Sequence, residues 1–274
     1  MLASESDLLV VAESTGRLSS RGLQELASSV ADHGFVLKTY YTVTQPSRYF
    51  YSTLQQRIKH CRSCYCLNPG LRQPLRLGER FARVVDNLPN TEILRFETAC
   101  AQSGGPTPYY LRAVLADRAP ELLAAVAGTH ANRSGCDQAV RFCSWLNERG
   151  QEGESAMEHE ARIRFVLHLF RTLKGSPFRP MTSDVDNAWT AAEVERQTVL
   201  VNAVLSSRQP GGTSYTNDLE WSASSAPWTE DLCSQFEQIL EQCPDHLRSH
   251  GRAYFAMVCG RSETAPIARA DQRL

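Results

Sequence analysis

Leu8-Leu-Val-Val-Ala12 is a short, unbroken apolar run, the signature of a strand buried on both faces in a parallel sheet. It predicts a strand over 8–13, then a polar turn Glu13-Ser14-Thr15-Gly16. A helix over 18–32 follows, with Leu18, Leu23, Leu26, Ala27 and Val30 on one stripe and Gly34 as its stop signal. Phe35 to Thr44 is aromatic and β-branched throughout and predicts a second strand. Gln45-Pro46-Ser47 breaks it, and Ser47 suits the N-cap of a helix from about Arg48 to His60. A third strand is expected at Ser63–Leu67, a helix over 78–88 and a fourth strand at Glu92–Glu97.

From Pro108 to about Ser207 the spacing turns helical, over 109–127, 136–148, 158–174 and 187–206. Pro210-Gly211-Gly212 opens an irregular, Trp-rich stretch, then a helix over 229–242, and Gly251–Val258 reads as a closing strand. Strands alternating with helices imply crossover units and a parallel sheet. The expected fold class is therefore α/β. It would be a Rossmann-like, mostly parallel sheet flanked by helices, with a helical block in the second half, as a single domain over 1–274.

Composition sharpens this picture in three places. Nine cysteines, an odd number in a chain this long, fit free thiols and a cytoplasmic setting better than a disulfide framework. MLASESDLLVV lacks a basic flank, and no window reaches the roughly 20 apolar residues of a membrane span, so neither secretion nor a membrane is expected. The formal net charge of −1 hides an asymmetry. No acidic residue lies between His33 and Gly78, yet that stretch holds Lys38, Arg48, Arg57, Lys59, Arg62, Arg72 and Arg76, with Arg80 just beyond. A segregated basic surface suits a polyanion, because each neutralised phosphate releases counterions; a solvated face is the plainer alternative.

In an open parallel sheet, ligands sit beyond the carboxyl ends of the strands, which places Glu13, Ser14, Thr15 and Gly16 at the expected mouth. Neither G-x-G-x-x-G nor G-x-x-x-x-G-K-[ST] occurs there, so dinucleotide and P-loop sites are disfavoured and no cofactor is expected. A serine in such a turn is a nucleophile only if a base and an oxyanion hole serve it, and is otherwise a loop serine. Thr44, at the end of the second strand, is the fallback. His60-Cys61-x-x-Cys64-x-Cys66 lacks a second spaced pair for a structural zinc, and His159, His168, His246 and His250 form no zinc motif, so no metal is expected. Glu193 and Glu195 point to different faces of one helix, so at most one can face a pocket. Trp221 and Trp228 with Glu230 and Asp231 make an aromatic and acidic patch that could hold a cationic side chain, or be core plus a helix cap.

The order of these pieces resembles the cyclodipeptide synthases, which are similar to the catalytic domain of class I aminoacyl-tRNA synthetases. Leu9-Val-Val-Ala-Glu-Ser14-Thr-Gly16 is similar to the family's hydrophobic strand ending in a nucleophilic serine. Phe96-Glu97 through Thr107-Pro108-Tyr109-Tyr110 resembles its strand, Thr-Pro and Tyr passage. Thr198 to Pro210 resembles its catalytic helix and following loop, and Gly251–Val258 its closing strand. The departures are specific: where the family has a Tyr and a Glu one turn apart, this chain has Thr198 and Asn202, and the later Tyr-His pair falls near Trp228-Thr229, with Asp231 at the acidic position. Either the register shifts by a turn, bringing in Glu193 or Glu195, or the chain resembles a divergent branch, such as the fungal group that makes arginine-containing cyclodipeptides.

The resemblance implies an aminoacyltransferase that draws on two aminoacyl-tRNAs and forms a diketopiperazine through a serine-bound aminoacyl intermediate. Ser14 would accept the first aminoacyl group, Glu195 or Glu193 would carry the proton, and Asn202, Trp228 and Asp231 would line the aminoacyl pockets. Glu13, Gly16, Thr44 and Thr198 complete that neighbourhood, with Asp218, Glu230 and Asp231 as carboxylates for a guanidinium. The basic side chains of the 33–80 region would meet the tRNA. A non-catalytic RNA-binding or adaptor protein and a divergent Rossmann-type methyltransferase are the alternatives.

Overall fold

Ser19 starts the first helix by accepting the Gly22 amide on its hydroxyl, and the chain reaches it through a 3-10 turn at Thr15–Arg17. The computed structural model describes residues 15–59, 74–88, 90–102, 105–115, 134–149, 155–181 and 187–259. Within them the fold is mostly helical, with a small two-stranded parallel sheet. The elements in order are α1 (Ser20–Asp32), β1 (Thr39–Val43), α2 (Pro46–Lys59), α3 (Leu77–Asn87), β2 (Thr91–Arg95), α4 (Phe96–Ala101) and α5 (Pro106–Leu115). Then come α6 (Asp137–Arg149), α7 (Ala156–Thr172), α8 (Asn187–Arg208), α9 (Glu230–Glu241) and α10 (Asp245–Cys259). The expected strands at 8–13 and 63–67 lie outside the described residues, as do Glu13, Ser14, Arg62, Arg72 and the cysteines at 61, 64 and 66.

Internal contacts group the chain into two compact units. The first comprises residues 1–49, 74–129 and 192–218, and the second 50–73, 130–191 and 219–274.

In the first unit β1 and β2 run parallel, in register from Thr39 opposite Thr91 to Val43 opposite Arg95. The core is built on α3, whose apolar residues recur at helical spacing. Leu77, Phe81 and Val85 pack with Val43, Ile93, Val201 and Leu205. Val84 and Leu88, on the adjoining stripe, pack with Leu23 of α1. Tyr41 stacks on Phe81 with ring centroids 5.1 Å apart. Close approach of α3 to α8 depends on Gly78, because a Cβ there would lie 2.5 Å from the Leu200 Cβ. The Gly78 amide donates to Gln197 at 2.6 Å.

The second unit is centred on an aromatic cluster. Phe142 of α6 meets Phe165, Phe236 and Tyr254 at centroid separations of 6.0, 4.9 and 5.0 Å, so α6, α7, α9 and α10 share one core. The Arg162 guanidinium, 1% exposed, donates to Asn147, which in turn donates to the Ile58 carbonyl. Burying that charge is tolerable because its donors meet fixed acceptors.

Several expectations are corrected. Gly251–Val258 is not a strand but part of α10: Leu247, Gly251, Tyr254 and Phe255 are buried while Arg252 and Met257 are exposed, a spacing of three and four rather than two. Gly251 packs directly beneath Leu240. The strand expected to start at Phe35 begins at Thr39, since Gly34 takes a positive φ of 78° and Val36 is 87% exposed. The strand expected to reach Glu97 stops at Arg95, and α4 starts at Phe96. Ser47 is not an N-cap, because α2 already starts at Pro46, where a missing amide hydrogen costs nothing.

Candidate active site

Parallel pairing brings the exits of β1 and β2 together, so Thr44-Gln45 and Phe96-Glu97 leave the sheet on the same side. This is the carboxyl-end position where α/β proteins build sites. Glu97, in the first turn of α4, reaches across the gap. Its Oε1 accepts the Thr44 hydroxyl at 2.8 Å and the Gln45 amide at 2.9 Å, and its Oε2 accepts the Tyr215 phenol at 2.8 Å. Burial alone would raise the Glu97 pKa, but the Gln45, Thr44 and Tyr215 donors together hold it below the usual carboxylate value. The carboxylate is therefore ionised at neutral pH.

Residues 215–218 line the same exit. Gln45 donates its side-chain amide to the Thr216 carbonyl at 3.2 Å, and buried Ser47 donates to Asp218. Asn202 holds the segment from α8, donating to the Tyr215 carbonyl and accepting the Tyr215 amide, both at 2.8 Å. Two phenols close the surroundings. Burial pushes Tyr110 up to about 12, and burial with the bond to Glu97 raises Tyr215 further, so both phenols stay protonated, and Tyr215 donates to Glu97. The Arg95 guanidinium lies 5.2 Å from the centre of the Tyr215 ring. Exposed Cys100 also stands in the field of Glu97 and Arg48, though burial sets the net upward direction of its pKa.

The residues singled out in the sequence divide among several places. Thr44, Asp218 and Asn202 converge on this exit. Gly16 lies in the 3-10 turn, where a Cβ would meet the Tyr41 ring at 3.8 Å. Thr198 does not face the exit, since it is buried with its hydroxyl bonded to the Val194 carbonyl of its own helix. Glu193, 8% exposed, is committed to structure: it accepts the Leu75 amide, Gln197 and Arg196, while Arg196 bridges on to Glu79. Glu195 is exposed on another face and accepts from Asn217 at 3.0 Å. The two glutamates thus take different faces, as their spacing requires.

Trp228, Glu230 and Asp231 belong to the second unit. Thr229 caps α9 by accepting the Leu232 amide, and Asp231 binds Gln235 within the same helix. Among the basic residues, Lys38 is exposed but paired with Glu92 at 3.3 Å, Arg48 and Arg76 are exposed, and Arg80 reaches the Tyr49 hydroxyl at 3.4 Å. Lys59 is corrected from a surface contact: it is buried in the second unit with Nζ 5.2 Å from the Phe170 ring centre, and burial lowers its pKa. Arg57, also of that unit, is half-buried.

Glu97, Tyr110 and Tyr215 were not picked out as functional residues. The signal for Glu97 is its place as the first acid after the second described strand; Tyr215 carries no local signal. Among the described residues no group of three His, Cys, Asp or Glu could hold a metal, and no helix is long and apolar enough to cross a membrane. Comparison of the chain with protein-family models, with curated proteins and with solved structures finds no match.

Proposed function

We propose that the protein is an aminoacyl-tRNA-dependent acyltransferase of the cyclodipeptide synthase kind, with the acceptor hydroxyl at the exit of β1. The observation that carries this reading is the Thr44 hydroxyl donating to an ionised Glu97 where two parallel strands end. A helical crossover between two adjacent parallel strands supports a larger Rossmann-like sheet around them. The basic 33–80 region supports a tRNA partner, and no phosphate-binding glycine loop is needed because the substrates arrive already activated as esters.

In this reading Thr44 Oγ1 attacks the carbonyl carbon of an aminoacyl ester. The bond from that carbon to the ribose oxygen breaks, and the hydroxyl proton passes through Glu97 to the departing oxygen. The amine of a second aminoacyl-tRNA then attacks the enzyme-bound ester, returning its proton to Thr44 and leaving a dipeptidyl-tRNA. The α-amine of the first residue attacks the remaining ester carbonyl, and the ring closes as the bond to the second tRNA's ribose oxygen breaks. Tyr215, protonated and fixed by Asn202, keeps the Glu97 carboxylate aimed at Thr44. Asp218, exposed at the same exit, is a second carboxylate there that a basic substrate side chain would meet. Ser14 is the alternative acceptor.

Incubation with mixed aminoacyl-tRNAs, followed by mass spectrometry for diketopiperazines, tests the reading. Product is expected from the wild-type chain and from Ser14→Ala, with a loss of roughly 10³-fold or more in Thr44→Ala. Loss in Ser14→Ala alone would move the acceptor to the first turn, and absence of product with every tRNA would leave a non-catalytic RNA-binding protein. That second reading is favoured by one observation: Glu97 already takes three donors, as a carboxylate that staples loops would.

A further inference from the structure

The second unit contains a cavity of about 430 Å³ lined in part by Trp228 and Glu230, residues that the family resemblance assigned to substrate pockets but that belong to a different unit from the Thr44–Glu97 exit. The first turns of α6 and α9, the 225–228 segment and the later part of α10 line it. Trp228 and Tyr254 form aromatic walls, with ring centroids 6.3 Å apart and planes inclined at 66°. Two carboxylates and one guanidinium contribute charge. Asp137 and Arg141 answer each other: Asp137 Oδ2 accepts Arg141 Nε at 2.8 Å and the Ala226 amide at 2.9 Å, and the guanidinium also lies over the Phe178 ring. Glu230 is exposed and has no ion pair among the described residues. The cavity therefore carries net negative charge beside indole and phenol faces.

We propose that this cavity is a binding site for a small organic cation, specifically a guanidinium or alkylammonium group. An aromatic face attracts a cation through its quadrupole, and a carboxylate at the rim supplies the counter-charge. A planar guanidinium satisfies both, stacking on the Trp228 ring while its fork of donors meets Glu230. An anion is disfavoured: both helix N-termini lining the cavity already carry an acid in the first turn, Asp137 and Glu230, and Arg141 is matched to Asp137. The volume lies in the usual range for small-ligand sites of roughly 300–1,000 Å³. The proposal is independent of chemistry in the first unit, because every lining residue belongs to the second.

Calorimetric and NMR titrations of the full chain with butylguanidinium, against its neutral isostere butylurea, test it. Saturable butylguanidinium binding is expected, with amide shifts at the cavity residues and with butylurea about 10-fold weaker or worse. Glu230→Gln should weaken the guanidinium about 10-fold and leave the urea unchanged. Trp228→Leu should weaken both. Glu230 is exposed, so its variant stays folded even where loss of the indole disturbs the aromatic core. No saturable binding, equal affinity for the two isosteres, an unaffected Glu230→Gln, or shifts confined to the first unit would each overturn the proposal.

Discussion

Thr44, Glu97 and Tyr215 lie 53 and 118 residues apart in pairwise separation, yet one carboxylate ties them together. The Glu97 pKa is lower in the folded chain than its ordinary value of 4.5, so protonation favours the unfolded state. Its contribution to stability is complete above that value and disappears as pH falls through the folded value. Thermal unfolding of wild type and Glu97→Gln between pH 7 and pH 3 should therefore show the widest gap in Tm near neutrality, closing below the ordinary carboxylate range. A constant gap would contradict the assignment of the charge to this cluster. Tyr215→Phe removes one donor to Glu97 and leaves the backbone clamp by Asn202 intact. Its expected cost is about 1 kcal/mol in denaturant unfolding. Thr44 was legible as a strand end beside a turn. Glu97 was visible as the end of a strand and of a passage resembling the family, with no role given to it, because its partner in the fold is set by pairing between strands that no local pattern encodes.

The elements show where periodicity works and where it does not. α1, α3, α7, α8 and α9 fall within a few residues of their expected spans because each carries a long apolar stripe or a recognisable cap. α10 was mistaken for a strand because Ala253 to Val258 is a nearly continuous apolar run, which suits a buried strand and a core helix equally. Tertiary packing decides it, since only a helix puts Gly251 beneath Leu240 and Tyr254 against Phe142. Two variants probe the elements directly. Gly78→Ala forces apart α3 and α8 and should destabilise by about 1–3 kcal/mol, with a fall in Tm, whereas an exposed change such as Arg76→Ala should cost far less. Thr229→Ala removes the α9 cap and should cost about 1 kcal/mol.

Across the chain, the tRNA proposal rests on charge rather than on the fold. The basic stretch was plain in the sequence, but its surface differs from its letter count: Lys59 is buried and Lys38 is paired with Glu92. Under the proposed function, exposed Arg48 and Arg76, with half-buried Arg80, are the described first-unit arginines of this stretch that would meet phosphate. If they do so, tRNA binding should weaken steeply with salt, and each arginine-to-alanine change should lower the slope of log K against log salt by about one. Arg57→Ala, in the second unit, should serve as the comparison for a half-buried position. The covalent step itself is weighed on the intact chain. After brief mixing with a single aminoacyl-tRNA, the intact-protein mass should rise by one aminoacyl residue, and peptide mapping should place the increment on Thr44. The adduct should be absent in Thr44→Ala and retained in Thr44→Ser. An increment that survives Thr44→Ala, or product formed with no increment at Thr44, would contradict a Thr44-bound intermediate.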